Sequence, residues 1–182
     1  MLFKETEKNI ERFLREIKLT WQVIFLVSIV LYGLSFLHHL STRESPRSLP
    51  YFTTIDLISF AFALGLAIFI FREKRKYFSL RALRVYLEKL AITYPESDEK
   101  KLAQLVVNNL KTPIRIIWLM GGIIVLLGVI FYWWTFTTKN MNIYFIVGVY
   151  SLMMNYPRKD LFMDLPYLIA EVLKGRIHSN RN

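Results

Sequence analysis

Apolar positions along the chain collect into four long blocks, separated by segments in which charged residues recur. Residues 19–40 contain no Lys, Arg, Asp or Glu. At 1.5 Å per residue, a helix of that length extends roughly 33 Å, enough for a hydrocarbon core of about 30 Å. Residues 116–136 are likewise uncharged and end near Trp133 and Trp134, rings suited to the boundary between hydrocarbon and headgroups. Residues 55–71 are apolar except for Asp56 and Ser59 near the start, and predict a short span. The fourth block, residues 142–156, closes at Pro157 and has a length at which re-entrant and interfacial segments compete with spans. It reads as a span, because a re-entrant segment would put the basic C-terminal region across the membrane from the other basic segments. The pattern predicts an all-α polytopic membrane protein with four transmembrane helices.

Between the second and third blocks, residues 72–115 change period. Leu80, Leu83, Leu87, Leu90 and Tyr94 recur at alternating spacings of three and four, which makes one apolar helical face. That helix should stop at Tyr94-Pro95, since the residue before a proline is biased away from helix. Ser97, Asp98 and Glu99 then offer a cap and an acidic first turn for a second helix, with Leu102, Leu105, Val106 and Asn109 on its face and Thr112-Pro113 as its end. The segment reads as a helical hairpin whose apolar faces must be covered by each other, by a partner or by the membrane surface. Residues 1–18 carry Ile10, Phe13, Leu14 and Ile17 on one side and run into the first span. Residues 157–182 predict a terminal amphipathic helix, with Asp164 as cap, Leu165, Leu168, Ile169, Val172 and Leu173 as its apolar face, and Gly175 as its stop. Residues 41–52, rich in Ser and Pro, form the one clear loop.

Charge sets the orientation. If both termini and residues 72–115 share a side, that side holds 21 of the 24 Lys and Arg, and the positive-inside rule puts both termini in the cytoplasm. The 182 residues are 54% hydrophobic with a net charge of +10, and topology accounts for the excess without nucleic acid. With no cysteine there is no disulfide framework, thiolate nucleophile or thiolate metal site.

Small and polar residues recur at helical spacing on every span. The first carries Ser28, Tyr32, Ser35 and His39, the second Asp56, Ser59, Ala63 and Ala67. The third carries Gly121, Val125, Gly128, Tyr132 and Thr135, the fourth Tyr144, Gly148, Ser151 and Asn155. Such seams let helices approach closely and let hydroxyls bond across the interface, or else line a hydrated path. His39, Asp56, Thr135 and Tyr144 fall at similar depth near the outer surface. Asp56 with His38 or His39, together with Tyr144, makes a candidate pore, ion or proton site, against the simpler reading that Asp56 caps its helix at the interface. Arg72, Lys74, Arg75 and Lys76 read as an anionic-lipid contact on the cytoplasmic side or as an ordinary basic flank.

No HExxH, GxSxG, phosphate-binding or dinucleotide-binding motif occurs, and no cofactor or metal set is indicated. Two-histidine haem ligation from separate spans is excluded, since His38 and His39 share one helix end. The expectation is a non-enzymatic membrane protein, a subunit or scaffold in a homo- or hetero-oligomeric assembly, with an oligomeric channel or small transporter as alternative. The order span, cytoplasmic hairpin, span, span over residues 55–156 also resembles the minimal core of the YidC-type insertase superfamily. That resemblance of topology implies an insertase as a third reading.

Overall fold

The computed structural model describes residues 2–42, 45–47, 50–95, 97–157, 162 and 164–179, with side chains described from residue 10 to residue 174. It is all-helical among the described residues, in the order α1 (Leu2–Thr42), α2 (Phe52–Phe78), α3 (Leu80–Thr93), α4 (Glu99–Thr135), α5 (Thr138–Met154) and α6 (Leu165–Ser179). Three helices are long and apolar enough to cross a membrane, α1 over Ile10–Thr42, α2 and α4, which marks a multi-pass membrane protein.

Several helix ends differ from those the sequence predicts. Thr112-Pro113 does not end a helix: α4 runs through it without interruption. An internal proline costs about 3 kcal/mol through its missing donor and its clash with the preceding turn. Pro113 is buried together with Leu110, Ile114 and Ile117, and at about 1.5–3 kcal/mol for each buried aliphatic side chain, burial outweighs that cost. Gly175 does not stop α6, which continues to Ser179, and no glycine among the described residues adopts the left-handed conformation that ends helices. The basic run Arg72–Lys76 is helical, because α2 extends to Phe78. Helix α4 is capped by Asp98, whose Oδ1 accepts from the Lys101 amide at 2.8 Å, while the Ser97 hydroxyl is buried without a partner. Helix α3 starts from Ser79, whose hydroxyl accepts from the Ala82 amide at 3.2 Å, and closes at Tyr94 as expected.

By packing, the chain divides into two compact units. The first comprises Met1–Leu19, Glu73–Arg115 and Pro157–Asn182. Its core joins Ile10, Phe13, Leu14 and Ile17 of α1, Leu83, Leu87 and Leu90 of α3, Leu102, Val106 and Leu110 of α4, and Leu165 and Ile169 of α6. The buried face of α4 is rotated from the predicted one: Ala103 and Val107 lie inside, and Asn109 is exposed. Leu80 and Tyr94 likewise lie outside the α3 core face. Phe13 meets Phe162 edge-on at 5.6 Å. Polar links cross the surface: Arg84 bonds Glu171 at 2.8 Å, Lys111 bonds Glu16 at 3.1 Å, and the Asn109 amide donates to the Tyr86 hydroxyl. The apolar stripes of the terminal segments and of α3 and α4 are therefore covered by one another within the chain. Of the covers the sequence allows for the hairpin faces, namely each other, a partner or the membrane surface, the structure contains the first, with the terminal helices added to it.

The second unit comprises Thr20–Arg72 and Ile116–Tyr156. Helix α4 is its most buried element, with Trp118, Ile124, Val125 and Tyr132 fully inside. Helices α1 and α2 bury only a narrow stripe each and expose Leu26, Leu34, Leu57, Phe62 and Ile68 among others, as helices facing lipid do. Helix α5 starts four residues earlier than the predicted block and ends at Met154, so that Asn140, Tyr144 and Gly148 follow one another at intervals of four on its buried face.

Candidate functional site

The second unit concentrates its polar side chains where the C-terminal ends of α1 and α4 meet the N-terminal ends of α2 and α5. Helix α5 anchors α2 there. The Asn140 amide donates to Asp56 Oδ1, and the Ser59 and Tyr144 hydroxyls share a hydrogen bond of 2.7 Å. Helix α1 is tied to both α4 and α5. The Tyr32 hydroxyl donates to Asn142 Oδ1 at 3.0 Å, with the Tyr32 ring stacked on Phe145. The Trp133 indole donates to the Ser35 hydroxyl at 3.0 Å, and His38 Nδ1 lies 3.0 Å from the Tyr132 hydroxyl.

His38 is enclosed by rings, with Trp133 at 4.5 Å, Phe136 at 6.0 Å and Tyr132 at 6.1 Å. Phe136 holds a left-handed backbone, φ 53°, just past the end of α4, a conformation usually left to glycine. Its ring is buried, and the Arg47 guanidinium sits 4.0 Å above it, while the Arg47 amide donates to the Thr135 carbonyl at 3.0 Å. A cation over an aromatic face, a backbone bond and ring burial together hold the short turn between α4 and α5.

The candidate pairing of Asp56 with a histidine is not among the hydrogen bonds of the described residues. Asp56 bonds Asn140 on α5, whereas His38 bonds Tyr132 on α4, and His39 Nδ1 is buried without a hydrogen-bond partner. Both histidine rings lie 6.1 Å from the Tyr132 ring, and both meet it edge-on. No group of three His, Asp or Glu with metal-binding geometry occurs among the described residues.

The seam glycines of α4 and α5 are contact points. On α4 and α5, Gly121, Gly128 and Gly148 permit backbone approach, with Leu152 against Gly121 and Tyr144 against Gly128. Ser28 is buried and bonds its own helix at the Ile24 carbonyl. Asn155 closes α5, its amide donating to the Ser151 carbonyl and its own carbonyl accepting from the Trp118 indole at 2.7 Å, while the Ser151 hydroxyl is buried and unpartnered. The Trp21 indole donates to the Leu152 carbonyl at 2.9 Å. Arg72, Arg75 and Lys76 are exposed on the last turns of α2, and Lys74 is half-buried.

Sequence reading missed Asn140, Asn142, Trp21, Trp118 and the Arg47–Phe136 contact. Only Asn140 left a signal, its spacing of four from Tyr144 and of eight from Gly148. The chain matches no family model, no curated protein and no solved structure.

Proposed function

We propose that the chain is a non-enzymatic integral membrane protein with four spans, acting as a subunit or scaffold of a membrane assembly, with both termini and a helical hairpin over residues 72–115 in the cytoplasm. The observation that carries this reading is that polar side chains within the apolar helices, Asp56, Ser59, Tyr32, Ser35 and His38, each bond a neighbouring helix. In hydrocarbon such bonds hold helices together. The topology is supported by a coincidence of two independent patterns: packing divides the chain after Leu19, Arg72, Arg115 and Tyr156, where the charge pattern also changes. Helix α5 falls with α1, α2 and α4 in that division, which supports it as the fourth span.

Single cysteines test the topology cleanly, since the chain has none of its own. Ser45 and Lys139 are exposed, as is Gln104. Cysteine at Ser45 or Lys139 should label from outside intact cells, and cysteine at Gln104 should not; labelling at Gln104 refutes the orientation. The scaffold role is tested by particle mass in nanodiscs and by cross-linking in native membranes. A lone monomer without cross-linked neighbours, or a liposome ion flux abolished by Asp56→Asn, would refute it.

A further inference from the structure

The buried side of α2 carries Asp56, Ser59, Ala63 and Ile70. Its opposite side presents Leu57, Leu64, Ile68, Arg72, Arg75 and Lys76, which by helical periodicity fall within an arc of roughly 120°. All six are exposed. One helix face thus passes without a break from large apolar side chains to three cations spaced i, i+3 and i+4. Arg84 and Lys111 have carboxylate partners elsewhere in the chain, but no carboxylate among the described residues pairs with Arg72, Arg75 or Lys76. The ammonium of Lys76 rests 4.9 Å from the Tyr77 ring.

Three like charges within about one turn repel one another, and a multidentate anion relieves that repulsion. A free phosphate would satisfy the cations and leave the apolar stripe beside them unused. A phospholipid satisfies both, because its phosphate and its acyl chains are covalently joined in the same order along the helix. We propose that this face of α2 is a binding site for an anionic phospholipid, the phosphate held by Arg72, Arg75 and Lys76 and the acyl chains lying along Leu64 and Ile68. The site rests on the membrane reading of α2. Guanidinium groups at two of three positions suit bidentate contact with phosphate oxygens, which a zwitterionic headgroup offers with less net attraction.

The test uses the full chain in nanodiscs of phosphatidylcholine containing phosphatidylglycerol, with retained lipid counted by native mass spectrometry. Wild-type protein should retain phosphatidylglycerol in preference to phosphatidylcholine. Combined Arg72→Gln, Arg75→Gln and Lys76→Gln should lower that preference by about tenfold or more, since each cation near a phosphate contributes on the order of a fivefold factor. Lys89→Gln, Lys101→Gln and Lys174→Gln, an equal change of charge at exposed sites, should leave it unchanged. Equal loss in both triple variants, no loss in either, or displacement of the lipid by millimolar inorganic phosphate overturns the proposal. Carbonate extraction separates the two levels: release of wild-type protein from membranes refutes the membrane reading itself, whereas retained protein with no lipid preference refutes only the site.

Discussion

Gly148 lies so close to α4 that a Cβ placed on it would stand 2.5 Å from Val125 Cγ2 and 2.7 Å from the Gly121 carbonyl oxygen. Backbone oxygen cannot rotate away, so a methyl group there must push α5 off α4. Gly148→Ala should destabilise the second unit by about 1–3 kcal/mol, despite a helix-propensity gain of up to about 1 kcal/mol. Gly33 and Gly65 meet nothing within 4 Å, and alanine at either should be neutral or mildly stabilising. Thermal unfolding of the three variants in one detergent checks this. Equal melting temperatures for Gly148→Ala and Gly65→Ala would refute the close approach.

Leu87 is 0% exposed and sits among the core of α1, α3, α4 and α6 in the first unit. Leu87→Glu removes a buried aliphatic side chain, at about 2–5 kcal/mol, and adds the cost of desolvating a carboxylate. Hydrogen exchange should rise through α3 and α6 and stay unchanged in α4 beyond Ile116. Val85 is 60% exposed, and Val85→Glu is the matched control. A loss of partners with unchanged exchange would instead make Leu87 an interface residue.

The long helices were legible because a charge-free run near twenty residues has few alternatives, and the amphipathic stripes because burial enforces helical spacing: Ile10, Phe13, Leu14 and Ile17 are all inside. What covers a stripe is a tertiary fact. Leu83 and Leu87 satisfy a partner surface and an internal core equally well on paper. The bonding of Asp56 depended on where α5 begins, since a start at Thr138 rather than at residue 142 brings Asn140 into the helix. Pro113 and Gly175 misled for the same reason: local preference marks a helix end only where burial or a left-handed backbone does not decide otherwise.

Burial in the first unit raises the Tyr86 hydroxyl above the usual tyrosine value of 10.0, and the nearby Tyr94 adds to the rise, against a lowering by the bond from Asn109. The folded state therefore favours the protonated phenol. Its stabilising effect is complete below about pH 10 and is lost as pH rises through the folded value. Tyr86→Phe should cost about 1 kcal/mol at neutral pH through the lost hydrogen bond, and the difference from wild type should shrink above pH 10. Melting temperature against pH for the two proteins measures it. A difference that widens above pH 10 would reverse the sign.

Asp56 separates a structural role from a titrating one, because its observed partner is an amide, which is neutral at every ordinary pH. If the Asp56–Asn140 bond holds α2 to α5, Asp56→Asn keeps an acceptor oxygen and should lose little, whereas Asp56→Ala and Asn140→Ala each remove one end. Interhelical bonds in membranes are modest, so a double-mutant cycle should return a coupling of about 0.5–1.5 kcal/mol. The same cycle between Asp56 and His38 should return nothing measurable, since His38 bonds Tyr132 instead. Steric-trap or denaturant unfolding in bicelles at pH 5.5 and 7.5 supplies both cycles. A coupling between Asp56 and His38 at either pH would mean that the two residues meet in a state other than the one described, and would return the transport reading to contention.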